Sequence, residues 1–176
     1  MELSRCGEVL SAVLPDDGRF LNSPLPLLVY DKALGEKVGD MASVFERLFL
    51  KNHWSNSWRN GVYDVHHYHS TAHEVLGVFR GSAILQLGGP AGITVHGEAG
   101  NCIVIPAGVA HKRLQRSVDF SVVGAYPSGQ SPDMCYGKAE ERPAADRNIS
   151  RVLLPDCDPA RGKGGPLVEL WGKKGR

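Results

Sequence analysis

No stretch of this 176-residue chain is apolar for long enough to cross a bilayer as a helix, because its hydrophobic residues, 42% of the total, come in short runs. Neither sign of charge dominates. Twenty Lys and Arg against nineteen Asp and Glu leave a formal charge of +1, so nothing favours nucleic acid, an acidic substrate or an anionic membrane as partner. Cysteine is sparse, and Cys6, Cys102, Cys135 and Cys157 include no Cys-x-x-Cys pair. That argues against a disulfide framework or a cysteine-rich zinc site and fits a reducing compartment. The opening Met1-Glu2-Leu3-Ser4-Arg5 lacks the charged-then-apolar pattern of a secretory signal. The expectation is a cytoplasmic globular protein with a small-molecule partner.

Turn formers, by contrast, are plentiful. Twenty-one glycines and eleven prolines fall repeatedly between short apolar runs, which is the pattern of an all-β domain. One short strand is expected within Leu10–Leu14, and the prolines at 24 and 26 keep Asn22–Tyr30 extended. One helix is expected where Met41, Val44, Phe45, Leu48 and Phe49 form a single apolar stripe. Asp40 can cap it, and Ser43 with Glu46 has capping-box spacing. That stripe reads as packing, not chemistry. Strands are then expected over Gly61–His69, Glu74–Phe79, Ser82–Leu87, Ile93–His96, Cys102–Ile105 and Phe120–Ala125. The whole reads as a single domain over 1–176. Its barrel core covers about 55–127, an N-terminal strand-and-helix arm covers 20–52, and a Pro/Gly-rich C-terminal arm covers 128–176. Two apolar islands in that last arm, Arg151–Leu154 and Leu167–Trp171, suggest that it lies against the barrel or a second subunit.

Six of the seven histidines lie between His66 and His111, and their spacing is specific. Gly61 is followed after five residues by His67, after one more by His69, after four by Glu74 and after six by Gly81. Gly100 is followed after five residues by Pro106, then Gly108 and, two residues on, His111. These spacings resemble the two signature motifs of the cupin superfamily, with Gln115 where the second motif usually ends in Asn. The resemblance implies a cupin double-stranded β-helix, a jelly-roll barrel with one short N-terminal helix and extended N- and C-terminal arms. Strand geometry agrees with it: residues two apart on a strand share a face, so His67 and His69 point together. Three imidazoles and a carboxylate, from His67, His69, His111 and Glu74, make an N3O set suited to one divalent transition metal such as Fe, Mn, Ni or Zn. Four such groups facing an apolar interior with no cation would be costly.

The wider context narrows the resemblance. The run from His66 to Gly77, Ile105–Lys112, Val123–Pro127, Asp133–Gly137 and Glu141-Arg142-Pro143 resemble a family of bacterial cupins typified by YjlB. This likeness covers most of the chain from about Leu25 onward and brings no particular reaction with it.

Neighbouring residues are assigned by parity. His66 precedes His67 and should face the other side of the sheet as a surface or packing residue. His73 should point away from Glu74, unless a bulge at Ser70-Thr71-Ala72 makes it a ligand in Glu74's place. Otherwise His73 is an acid–base candidate. Tyr63 has the parity of His67 and is the best pocket candidate, with Tyr126 beside it, while Tyr68 should face outward. Trp54 and Trp58 fit the pocket mouth or the core equally. Arg80, Lys112 and Arg113 read as exposed, with anchoring of a carboxylate substrate as the alternative. His53 and His96 read as ordinary surface residues. Three functions then compete: a metal-dependent dioxygenase or isomerase acting on a small polar molecule, a non-catalytic binder of a small molecule or metal, and a metal-free sugar-nucleotide epimerase. The intact ligand set disfavours the last. A homodimer is expected, because both arms are apolar enough to cover a sheet edge.

Overall fold

The computed structural model describes residues 3–7, 9–35 and 39–173, and the side chain of Cys6 lies outside that description. The strands are β1 Ser4–Cys6, β2 Val9–Leu14, β3 Ser23–Tyr30, β4 Trp54–Asn60, β5 Glu74–Arg80, β6 Ser82–Leu87, β7 Ile93–Glu98, β8 Cys102–Ile105, β9 His111–Arg116 and β10 Ser121–Pro127. The helices are α1 Met41–Lys51, α2 Ala144–Ile149 and α3 Pro166–Gly172. The strands form two antiparallel sheets. A seven-stranded sheet has the order β1-β2-β3-β8-β5-β10-β4, and a three-stranded sheet has the order β7-β6-β9. This is the all-β, jelly-roll arrangement of the cupin type, built as two facing sheets with no closed ring of strand pairing among the described residues.

Alternation along β5 separates two apolar cores. Leu76 and Val78 point between the sheets, with Ile103, Val122, Leu85 and Leu87. Val75 points to the other face of the larger sheet, with Val104, Val123, Phe45, Phe49 and Trp171. Glu74 shares the parity of Leu76, so it is directed between the sheets. His73 shares the parity of Val75 and is directed to the outer face.

Helix α1 covers that outer face. Asp40 caps it, accepting a hydrogen bond from Ser43 N at 3.2 Å. Glu46 does not complete a capping box and is engaged instead by Arg59, at 2.7 Å. Phe45 lies where a Cβ on Gly77 would come within 2.7 Å of its ring, so the missing side chain lets helix and sheet approach. At the other end of the second motif, Gly108 has a φ of +90°, and a Cβ there would run into the carbonyl of Asn22.

Several elements depart from the expectations. Gly61–His69 is not a strand: only His67 and Tyr68 make single bridges, to His111 and Cys135. Within the N-terminal arm, β3 pairs with β8 and extends the larger sheet. The single expected helix is joined by α2 and α3. Of the two C-terminal islands, the second becomes α3, burying Leu167 and Trp171, while Leu153 in the first stays exposed. Cys102, Cys135 and Cys157 are free thiols.

The closeness of Phe45 to Gly77 makes a test. Gly77→Ala forces overpacking and should cost about 1–3 kcal/mol in chemical denaturation. Adding Phe45→Leu should recover part of that loss, and an unchanged midpoint in the single variant would count against the tight docking.

Candidate metal centre

The cluster is assembled from three pieces of backbone. His111 opens β9, opposite Leu87 of β6. His67 pairs with it directly: His67 N donates to His111 O at 3.2 Å and His111 N donates to His67 O at 2.8 Å. Directly opposed residues send their side chains to one side, and these two ring centroids lie 4.1 Å apart. His69, two residues further, shares that side, and its carbonyl accepts from Gly108 N at 2.8 Å. Glu74 enters from β5. The ligand nitrogens of His67, His69 and His111 all lie within 4.8 Å of one another, and all four side chains are buried.

The hydrogen bonds behind the rings decide what the front can do. Nδ1 of His67 donates to Val65 O at 3.1 Å, Nδ1 of His111 to Val109 O at 3.1 Å, and Nδ1 of His69 to Asp133 O. A carbonyl can only accept, so each Nδ1 carries hydrogen and each neutral ring presents a bare Nε2 lone pair forward. Two of those lone pairs, on His69 and His111, meet Glu74. Its Oε2 is buried without a hydrogen bond, 3.2 Å from Nε2 of His111 and 3.5 Å from Nε2 of His69. Lone pair facing lone pair is repulsive unless a cation, either proton or metal, stands between them. The donor set therefore fits a divalent transition metal.

The protonation states of the metal-free cluster follow the same logic. Burial, and next the neighbouring His111, holds His67 down at about 3. Burial also works against charge on His69, but the Glu74 carboxylate outweighs it and raises that ring. Glu74 is itself buried, yet His69 and His111 hold its carboxyl well below the usual range.

A cavity of about 210 Å³ opens in front of the cluster. Tyr126 and Trp58 form one wall, and Trp58 Nε1 donates to Tyr126 Oη at 2.8 Å. Burial and then the Glu74 charge raise the Tyr126 phenol, which keeps its proton. Tyr63 stands at the mouth, half exposed, its ring 5.2 Å from that of His67. Both pocket tyrosines expected from the sequence therefore line the cavity.

His73 is not brought to the cluster. It packs against Trp171 of α3 at 4.7 Å on the outer face, and its Nδ1 accepts from Ala107 N at 2.9 Å. His66 is a packing residue, 5.6 Å from the ring of Phe20. Tyr68 does turn away from the cluster, but it is buried and not outward, because the C-terminal segment covers it and Glu141 accepts its hydroxyl at 2.9 Å. Trp54 is core, donating to Cys157 O at 3.0 Å. Arg80 and Arg113, with Arg116, line a second cavity of about 430 Å³ that shares Asn60 and Gly61 with the mouth of the first. His96 is exposed, whereas His53 meets Asp156 at 3.0 Å.

One contributor was missed. Asp133 accepts His69 Nδ1–H on its carbonyl, while its carboxylate takes Ser70 N at 2.6 Å and the Ser70 hydroxyl. It therefore fixes both the orientation and the tautomer of His69 from 64 residues away in sequence. The only sequence signal was its place within the Asp133–Gly137 stretch.

No protein-family model matches the chain. It is 45% identical over 167 residues, 94% of its length and 98% of the relative's, to the uncharacterized protein YjlB of Bacillus subtilis. Among solved structures it is similar to the dTDP-6-deoxy-D-glucose-3,5-epimerase RmlC of Legionella pneumophila, with 18% identity, 62% of this chain and 71% of that one covered and a TM-score of 0.35. It is also similar to the plu4264 protein of Photorhabdus luminescens, with 12% identity, 85% and 92% covered and a TM-score of 0.29. Likenesses this low carry no argument, and the fold stands on its own sheets.

Two buried rings generate a pH prediction. His67 at about 3 and His73, lowered by burial to about 4, both lie below the ordinary histidine value of about 6.5. Below that pH the unfolded chain takes up protons that the folded chain refuses, so stability present above it is lost as pH falls toward 4 and then 3. Glu74 adds a loss of the same sign below the unfolded carboxyl value, while the raised His69 acts oppositely. Urea denaturation of metal-free protein should show a fall between pH 7 and 4.5, on the order of 2–3 kcal/mol from His73 alone. The fall should be smaller in His73→Phe, and an equal fall in that variant would contradict the neutral burial of this ring.

Proposed function

The chain belongs to the family of bacterial cupins that includes YjlB, and from its buried donor cluster we propose that it is a metal-dependent enzyme, of dioxygenase or isomerase type, acting on a small polar molecule. The observation that carries this reading is the buried convergence of three bare Nε2 atoms, two of them, from His69 and His111, also facing an unbonded Glu74 oxygen, with every Nδ1 anchored to a backbone carbonyl. His67, His69, His111 and Glu74 would hold one divalent transition metal (Fe, Mn, Ni or Zn). Such a metal supplies Lewis acidity and open positions for a chelating substrate or oxygen.

The chain's own groups have defined parts. Glu74 offsets one of the two positive charges in a site where uncompensated charge is costly. The carbonyls behind the imidazoles keep the rings in the tautomer that ligates. Tyr126 accepts from Trp58, and its own O–H, beside the Glu74 carboxylate, can pass from that carboxylate to a substrate oxygen in the cavity. The cavity of about 210 Å³ admits only a small molecule. The arginines beside its mouth favour an anionic group at the far end of that molecule.

Elemental analysis of tag-free protein beside His67→Ala and His111→Ala is the test. Each variant should lose about one equivalent of metal relative to wild type. Iron at the site directs the search to oxygen consumption, and zinc or manganese to isomerase and lyase substrates. If wild type holds no more metal than the variants after incubation with Fe(II), Mn(II), Ni(II) and Zn(II), the metalloenzyme reading fails. Saturable binding of a substrate analogue with no turnover would make the protein a binder.

The expected assembly is a homodimer covering the sheet edges at β1 or β4. Light scattering should report twice the chain mass, and a value near 19.1 kDa at micromolar concentration would count against it. No described helix is long and apolar enough to cross a membrane.

A further inference from the structure

A second group of metal-ligating side chains lies away from the histidine cluster. His53, Asp156 and Cys157 bring a nitrogen, a carboxylate oxygen and a sulfur within 4.8 Å of one another. Both Asp156 oxygens lie 3.0 Å from His53 Nδ1, and Cys157 Sγ lies 3.8 Å from the same nitrogen. His53 and Asp156 border a cavity of about 630 Å³ that shares no lining residue with the one in front of His67.

A surface His–Asp contact alone means little, but here the backbone on both sides is built. His53 follows the C-terminus of α1 with a φ of +64°, a left-handed position where helices usually end in Gly or Asn. An imidazole placed where glycine costs less suggests that the ring itself is needed. The flanking residues lock the two segments together: Asn52 Nδ2 donates to Pro159 O at 2.7 Å and Trp54 Nε1 donates to Cys157 O at 3.0 Å, both buried. Ser128 N donates to His53 O at 2.8 Å. Cys157 is buried, and burial holds its thiol protonated in the metal-free protein.

We propose that His53, Asp156 and Cys157 form a second metal site suited to zinc. A tetrahedral zinc with ligands at about 2.0–2.3 Å spaces its donors roughly 3.3–3.6 Å apart. The observed 3.0 and 3.8 Å bracket that range, so small side-chain rotations suffice. Thiolate and carboxylate together neutralise the dication, and the mixed N, O and S set suits a borderline-soft ion. On binding, Cys157 releases its thiol proton to solvent, and His53 moves its hydrogen to Nε2 so that Nδ1 ligates. Asp156 exchanges an accepted hydrogen bond for a metal bond. The fourth position faces the cavity, open to water or a small ligand.

Cobalt(II) separates this site from the first, because the cavity at the histidine cluster is lined by no cysteine and so offers no thiolate. Titrating metal-free full-length protein with Co(II) should raise a near-ultraviolet thiolate-to-cobalt charge-transfer band that saturates at one equivalent of sulfur-bound metal. Cys157→Ser should abolish it, and His111→Ala should keep it. His53→Asn removes the ring while tolerating the left-handed backbone, and should weaken cobalt binding at this site at least tenfold. Absence of the band in wild type overturns the proposal, as does its persistence in Cys157→Ser. If Cys157→Ser fails to fold by circular dichroism, unchanged affinity in His53→Asn overturns it instead.

Discussion

A carboxylate buried between two sheets sets the terms for everything around it. Glu74 is 2% exposed, and an isolated anion at such a place would cost several kcal/mol and take up a proton instead. It remains ionised because two imidazoles stand within 3.5 Å, and those imidazoles in turn need a cation because their other nitrogens are committed to backbone carbonyls. The charge of Glu74 and the tautomers of the rings are thus one linked problem, and a cation between them, proton or metal, answers it.

The arrangement depends on pieces of chain far apart in sequence. His67 and His111 face each other through a single bridge, Gly108 lets the turn between β8 and β9 pass close to Asn22, and Asp133 reaches back to hold His69 and Ser70. The segment after β10 is therefore part of the centre, although none of its side chains is a ligand. It also buries Tyr68, whose parity alone pointed it to solvent. A set of donor residues can be read from one stretch of sequence, while the hydrogen bonds that orient it come from another.

This explains which features were legible. The spacing of His67, His69, Glu74 and His111 marked a set that the fold brings together, because period-2 alternation and two motif turns suffice to converge them. Alternation also placed His73 on the opposite face, against Trp171. The extent of strand was less legible. Gly61–His69 has strand-like composition but lacks a continuous partner, and pairing, not propensity, decides whether a run becomes sheet. β9 was missed for the converse reason: His111–Arg116 is polar, and pairing with β6 makes it a strand. The short helices α2 and α3 draw their stability from tertiary packing, α3 against β3 and α2 through Ala145 in the cluster of Phe20 and Tyr68, which leaves only a faint pattern in sequence.

His73 and Glu74 carry the organisation of the molecule in two adjacent residues. One turns inward to charge and chemistry, and the other turns outward to Trp171 and the C-terminal helix. Because they share a backbone, β5 cannot slip by one residue without burying an imidazole where the carboxylate belongs and pressing the carboxylate against an indole. Register is then held from both faces, by the ion cluster inside and by the α1 and α3 packing outside. A cluster whose groups come from separate pieces of chain needs that double constraint, since a small shift of β5 alone would take Glu74 out of reach of His69 and His111.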